Sequence, residues 1–255
     1  MTKSSDPPVK STAAELWDIT KVVLQALALA IFVRIFLYQP FNIPSGSMEN
    51  TLLVGDYLFV SKFSYGYSKY SFPFDAIPFS GRIWSGEPER GDIAVFRKPT
   101  NLEEDFIKRV IGLPGDKVQM KDGQLYINGE AVPKVRVEDY DEPDRYGNDR
   151  KIPRFEETLP NGVKYFVLDR WPDSEGDNTS EFTVPAGHYF MMGDNRDNSS
   201  DSRFQGPDKV GFVPLENFIG RAQIIFYSTD GTAGWLEPWR WPVATRWSRI
   251  GQLTR

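Results

Sequence analysis

The feature that most constrains the chain is an apolar run, VVLQALALAIFVRIFLY, from Val22 to Tyr38. Its seventeen residues are interrupted only by Gln25 and Arg34. A bilayer span takes about 20 mostly apolar residues in an α-helix, so this run is a short span; an amphipathic helix lying on a membrane or on the protein is the alternative. No small-residue cleavage site follows it, which argues against a removable signal peptide. Arg34 stands four residues from the end, where a long side chain reaches the head groups. Lys3, Lys10 and Lys21 precede the run, whereas the twenty residues beyond Tyr38 hold no Lys or Arg. The positive-inside rule then places the N-terminus in the cytoplasm and everything after about residue 39 outside.

Beyond the run the pattern changes to short strands and turns. YLFVSKF (57–63), DIAVFRK (92–98), DFIKRVIGL (105–113), KVQM and LYING have strand composition. KDGQ and NGE carry the Asp-Gly and Asn-Gly signals of tight hairpins. Residues 133–180 are acidic and rich in Pro and Asp, and only KYFVL (164–168) reads as a strand there. GHYFMMGD and RAQIIFYS resume the strand pattern. The reading is mainly β: an N-terminal transmembrane helix, then an antiparallel β-sheet domain with an inserted second β-rich lobe. The divisions are a disordered tail over 1–15 within a cytoplasmic segment 1–20, an anchor over 21–38 and a core from 39–132 and 181–234. The inserted lobe takes 133–180, and a Trp/Arg-rich C-terminal tail takes 235–255.

Composition removes several chemistries. A net charge of −5 argues against a nucleic-acid partner, which would require a basic face. There are no cysteines, hence no disulfide, thiolate nucleophile or thiolate metal site. The single histidine, His188, rules out a His/Cys zinc site and would have to serve any Ser-His-Asp triad.

Three stretches carry candidate chemistry. In NIPSGSMENTL (42–52), Gly46 lets the backbone turn sharply between Ser45 and Ser47. Alone, Ser-Gly-Ser reads equally as a polar turn, because a free hydroxyl needs a base to become a nucleophile. Lys108 lies in DFIKRVIGLPGD, where alternation puts Phe106, Lys108 and Val110 on one face and Ile107, Arg109 and Ile111 on the other. One of the two cations must therefore face apolar neighbours. A buried lysine loses its proton more readily and can act as a base, which arginine cannot; a lysine snorkelling to the surface is the alternative. In MGDNRDNSSDSRFQGP (192–207), Asp194, Arg196, Asp197, Asp201 and Arg203 can pair internally, leaving Ser199, Ser200 and Ser202 as donors. Asp197, Ser199 and Asp201 have a calcium-loop spacing, but the turn glycine and the bidentate Glu are missing.

Taken together, PSGSM…TL..GD, IKR..GLPGD and GDNRDNS.DSR, in that order behind an apolar anchor, resemble the bacterial type I signal peptidases, a serine–lysine dyad protease family. The resemblance implies Ser47 as nucleophile, Lys108 as general base and Ser45 as oxyanion-hole residue acting with the amide of Ser47. It further implies Ser199 as the hydroxyl orienting the lysine amine, and Asp201 with Arg203 as a supporting ion pair. Met48 matches the position after the nucleophile. Where the family commonly has Pro-Thr-Leu, this chain has Asn50 before Thr51 and Leu52, which removes a rigid residue but no catalytic atom. His188 reads as structural.

The resemblance also implies no cofactor and no metal. It implies membrane-held preproteins cut after small residues (Ala-x-Ala) through an acyl-enzyme. The expected location is the bacterial inner membrane, with the catalytic domain on the periplasmic side, beside the lipid bilayer and the protein export machinery. Two aromatic stretches, YGYSKYSFPFDAIPF (65–79) and WLEPWRWPVATRWSR (235–249), suit a bilayer interface; ordinary packing of the C-terminal tail on the β domain is the alternative. The competing readings are a self-cleaving repressor-like protease, which would need a DNA-binding front, and an inactive membrane-anchored β-domain adaptor.

Overall fold

The computed structural model describes residues 12–72, 79–142, 150–234 and 236–254. A helix, α1, runs from Thr12 to Phe32 and ends in a π-helical turn, Val33–Leu37. These 26 residues are long and apolar enough to cross a membrane, and none of the most apolar window is buried against the protein. The helix begins ten residues before the apolar run, so residues 12–15, read as part of a disordered tail, are helical; residues 1–11 lie outside the described residues. The extra turns are polar and stabilise themselves locally, for example through Lys21 and Asp18 at 2.9 Å.

The chain passes from this helix into a strand with no linker. In chain order the strands are β1 (Tyr38–Asn42), β2 (Asp56–Ser61), β3 (Ile93–Lys98) and β4 (Asn101–Gly112). Next come β5 (Lys117–Lys121), β6 (Gln124–Ile127), β7 (Glu130–Ala131), β8 (Lys134–Arg136), β9 (Tyr140–Glu142) and β10 (Arg150–Ile152). The last are β11 (Arg154–Thr158), β12 (Lys164–Leu168), β13 (Phe182–Thr183), β14 (His188–Met192), β15 (Val213–Pro214) and β16 (Phe218–Ser228). Seven of them form one sheet in the order β1-β2-β16-β3-β4-β14-β15, and every paired strand in it is antiparallel. The remaining sheets are β13-β5-β6-β7, β12-β11-β8 and the β9–β10 pair.

β1 was not legible as a strand. Its sequence, YQPFN, is short and holds Pro40, which cannot donate to a ladder. It is nevertheless an edge strand, where a proline's missing N–H can face away from its only neighbour. The two hairpin signals do form turns: Asp122 and Gly123 have φ of 47° and 70°, and Asn128 and Gly129 have 55° and 83°. Positive φ at both central residues matches the right-handed twist of the flanking strands.

The 133–180 segment holds more strand than KYFVL alone: β8, β9, β10 and β11 lie there with β12. Their composition hides them, because β8 and β9 bury little and alternate charge with single apolar residues. One core joins this segment to the β5–β6 hairpin: Val118, Met120, Leu125 and Ile127 pack with Leu159, Tyr165 and Val167. A second core lies under the large sheet, around Met48, Leu52, Leu58, Ile93 and Ile225.

Two attachments tie flanking segments to the large sheet. Beside the helix, Lys62 N–H donates to the Leu37 carbonyl at 3.0 Å and the Tyr67 hydroxyl to the Phe36 carbonyl at 2.5 Å. Within the 65–79 aromatic stretch, residues 73–78 lie outside the described residues. The C-terminal tail returns along the second half of β16, bridging Thr245 to Thr229 and Leu253 to Ile224. Arg249 drives inward to the wholly buried Asp56, with Nη2 at 2.5 Å from Oδ2, and also donates to the Thr51 carbonyl at 2.9 Å. Arg249→Ala leaves that carboxylate buried and unpaired, so it should cost about 3 kcal/mol of stability, measured as a lower urea midpoint of the full chain in detergent.

Candidate active site

Ser47 lies on a single 3₁₀ turn, Gly46–Met48, between β1 and β2. Met48 and Leu52, both fully buried, anchor that turn in the core with Ile43 and Ile93. From the opposite side the loop after β14 grips it. The Asn195 amide N–H donates to the Ser47 carbonyl at 3.1 Å, and its side chain donates to the Gly46 carbonyl at 3.0 Å. The nucleophile candidate is thus held at three successive residues before any substrate contributes.

Lys108, on β4, brings Nζ to 2.6 Å from Ser47 Oγ and 3.1 Å from the Ile107 carbonyl. The side chain is 3 % exposed and its Nζ lies 5.3 Å from the Phe106 ring centroid. Burial, with a smaller contribution from Arg203, brings its pKa from 10.5 down to about 8, against the pull of Asp201 and Asp194, which raise it. The free-amine form, which alone can accept a proton, is accordingly far more accessible near neutral pH than in an ordinary lysine. Ser45 is exposed and its Oγ lies 3.5 Å from Ser47 Oγ.

Neither cation on β4 snorkels. Arg109 is also fully buried, in a fork with Asp194 at 2.9 and 2.7 Å, and its guanidinium stacks over Tyr165 at 4.4 Å. Asp194 further accepts from the Thr51 hydroxyl at 2.5 Å, linking β4, the nucleophile loop and the 192–207 loop.

The internal pairing expected within 192–207 needs correction. Only Asp201 and Arg203 pair there, at 2.9 Å and 3.0 Å, both buried. Asp194 goes to Arg109, Arg196 to Glu157 on β11 at 3.0 and 2.5 Å, and Asp197 to the backbone amides of Arg170 and Trp171. A local spacing of charges cannot reveal partners that come from strands far away in sequence. Burial pushes the Asp201 carboxyl up, but Arg203 and the Gly193 amide outweigh it and hold the group below its ordinary value.

Ser199 is 7 % exposed, and its Oγ makes no hydrogen bond of good geometry to Lys108 or to any other described group. It lies close enough to Asp201 to help keep that carboxylate ionised. Gly193 is what brings it against the nucleophile turn: a Cβ there would sit 2.2 Å from Ser199 Oγ and 2.5 Å from the Ser47 carbonyl oxygen. His188 is bound at Nδ1 to the Ala186 carbonyl at 2.9 Å and has no contact with the dyad residues.

Sequence reasoning passed over Thr51, Asn195, Arg109 and Asp194 as site residues. Asn195 and Asp194 stand inside the GDNRDNS stretch, and Thr51 inside the TL pair, so the signal was present without a partner to interpret it.

The chain matches the family profile described as "Signal peptidase, peptidase S26" over residues 16–227. Signal peptidase I of Rickettsia canadensis is 47 % identical over 231 residues, covering 88 % of this chain and 83 % of the relative. Signal peptidase I of Rickettsia prowazekii is 46 % identical over 215 residues, covering 81 % and 78 %. A solved signal peptidase I from Enterococcus faecalis matches 53 % of this chain and 96 % of its own at 31 % identity, with a TM-score of 0.31. The chain belongs to the signal peptidase family, peptidase S26.

Asn50 is where the chain departs from the family's Pro-Thr-Leu. Its φ of 79° lies in the left-handed region, and its side-chain oxygen accepts from Arg154 at 3.3 Å. Proline is locked near φ of about −65°, so the residue is fitted to a turn that proline cannot make. Asn50→Pro should lower stability by more than about 1 kcal/mol and reduce activity, whereas Asn50→Gly should stay within about 1 kcal/mol of wild type. Denaturant midpoints of the pair decide this.

Proposed function

We propose that this membrane-anchored protease removes signal peptides from exported preproteins through a Ser47–Lys108 dyad. The observation that carries the reading is the 2.6 Å approach of a buried lysine amine to a buried serine hydroxyl. Ser47 Oγ attacks the scissile carbonyl carbon while its proton passes to Lys108 Nζ. The resulting oxyanion accepts hydrogen bonds from the Ser45 hydroxyl and the Ser47 amide. Collapse breaks the C–N bond, and the lysine ammonium gives its proton to the leaving amine. A water, deprotonated by the same Nζ, then attacks the acyl-serine ester; the lysine returns the proton to Ser47 Oγ as the C–O bond breaks. One base serves both half-reactions, in keeping with general acid–base catalysis.

Asp201 with Arg203, and Ser199 beside them, position the lysine end of the dyad; these three touch no reacting atom. The substrate reading is cleavage after small residues, as in Ala-x-Ala. The apolar helix holds the enzyme where membrane-held substrates are concentrated, which raises their effective concentration. The N-terminus is assigned to the cytoplasm and the catalytic domain to the outer, periplasmic side of a bacterial inner membrane, next to the export machinery. The exposed rings of Trp239, Trp241 and Trp247 suit a lipid interface. Arg246 and Arg249 do not join them, being tied to the Val54 carbonyl and to Asp56, and Arg240 pairs with Glu237.

Cleavage of a model preprotein in detergent tests the dyad. Ser47→Ala and Lys108→Ala should each abolish processing while the thermal transition persists, and Ser45→Ala should cost about 10²–10³ in kcat. Loss of activity in His188→Ala with retention in Lys108→Ala would overturn it. In wild type kcat/KM should rise with pH through an apparent pKa of about 8, since the neutral amine is the reactive form. Stability carries the same sign. Between about 8 and 10.5 the unfolded chain keeps a proton on Lys108 that the folded chain has released, so stability rises with pH across that window; Lys62 is lowered to about 8 as well, so Lys108→Met should reduce the slope and leave the part due to Lys62.

A further inference from the structure

A cluster of carboxylates lies beside the catalytic loop and takes no part in the reaction. Asp169, Asp177 and Asp197 each present an oxygen, and the three oxygens lie within 4.8 Å of one another. Asp169 and Asp177 come from the segment after β12, while Asp197 sits on the Arg196–Asn198 turn that leads directly to Ser199 and Asp201. Oxygens bound to one Ca²⁺ lie about 2.3–2.6 Å from it, hence up to roughly 5 Å from each other. The separation fits that ion.

An independent observation points to a ligand. Asp177 is 2 % exposed; its Oδ2 accepts from the Ser174 amide at 2.8 Å, but its Oδ1 is buried with no partner. Asp197 repeats this: Oδ2 accepts from the Arg170 and Trp171 amides at 2.5 and 3.0 Å, and Oδ1 is buried with no partner. A buried acceptor left unsatisfied is costly, and here two belong to one cluster of like charge. The protein's own cations do not cover them. Lys134 Nζ holds Asp169 Oδ2 at 2.5 Å, and Arg170 is engaged by Glu142 at 2.7 Å. Three carboxylates thus face one ammonium, an excess of two negative charges.

The site has an entrance. Asp169 and Asp177 line a solvent-open cleft of about 450 Å³, walled by the β5–β6 turn at Gly123. The dyad residues are absent from its lining.

We propose that Asp169, Asp177 and Asp197 bind a divalent cation of Ca²⁺ size, which ties the segment after β12 to the loop carrying Ser199 and Asp201. Oxygen-only donors suit a hard cation, and loosely spaced carboxylates suit Ca²⁺ better than Mg²⁺, which demands tight octahedral geometry.

The test uses the full chain in detergent, stripped with a chelator and titrated with CaCl₂. The melting temperature should rise by about 5 °C or more at a hundredfold excess over Kd, and should keep rising with the logarithm of the CaCl₂ concentration. Asp177→Asn should abolish the rise. Asp197→Asn, which keeps an acceptor for the Arg170 and Trp171 amides, provides the same comparison if the first variant does not fold. TbCl₃ gives a second readout, because Trp171 adjoins the site: its sensitised luminescence should appear on binding and be displaced by CaCl₂. Trp171→Phe should lose that luminescence yet keep the CaCl₂ rise in melting temperature. A wild type whose melting temperature ignores millimolar CaCl₂, or an equal rise in a folded Asp177→Asn or Asp197→Asn, overturns the proposal.

Discussion

The constraint on which the site depends is a lysine amine whose hold on its proton is weakened inside a protein. Burial alone would accomplish this, yet Lys108 is within reach of two carboxylates that favour its charged form, Asp201 and Asp194. Each carboxylate is matched by its own arginine, Asp201 by Arg203 and Asp194 by Arg109, through fully buried forks. Arg203 also acts on the amine directly, lowering its pKa against the two carboxylates that raise it. The two ion pairs are therefore better understood as neutralisers of the dyad's surroundings than as sources of stability, since buried pairs contribute little net stabilisation.

The same pairs supply mechanical continuity. Asp194 joins β4 to Thr51 on the nucleophile loop, and Asn195 beside it holds the carbonyls of Gly46 and Ser47. Arg249 reaches the Thr51 carbonyl from the far end of the chain while it neutralises Asp56. The short 3₁₀ turn with the reactive hydroxyl is thus secured from the strand in front of it, the loop behind it and the C-terminal tail. A turn this short has little stability of its own and takes its geometry from these partners.

How much was legible in the sequence follows the range of each interaction. The hairpins at Asp122-Gly123 and Asn128-Gly129 were legible because their chemistry is confined to two residues. β3 and β14 were legible because they are buried almost throughout and so read as short continuous apolar runs. β1 and β8 were not, since edge and lobe strands bury too few side chains to leave a pattern. Within the site, Ser47 and Lys108 were legible only as members of an ordered set of motifs, since neither stretch alone distinguishes chemistry from a turn or a surface lysine. The partners of Asp194, Arg196 and Asp197 were illegible because each lies on an element remote in sequence. The left-handed φ at Asn50 reverses what the missing proline suggested: the loop is differently shaped at that point, and Asn50 fits it.

The join between helix and sheet has a geometric consequence. The apolar helix ends at Leu37, β1 begins at the next residue, and β1 is paired with β2 along its whole length. Five strand residues at about 3.3 Å each span roughly 16 Å, with Ser47 five residues further on. The helix end is also clamped to the domain through Lys62 and Tyr67. The reactive hydroxyl accordingly stands at a set height above the end of the apolar segment and does not swing on a leash. On the proposed function, a join built in this way would act as a gauge, setting the cut by distance from the lipid as well as by the side chains at the cleavage point.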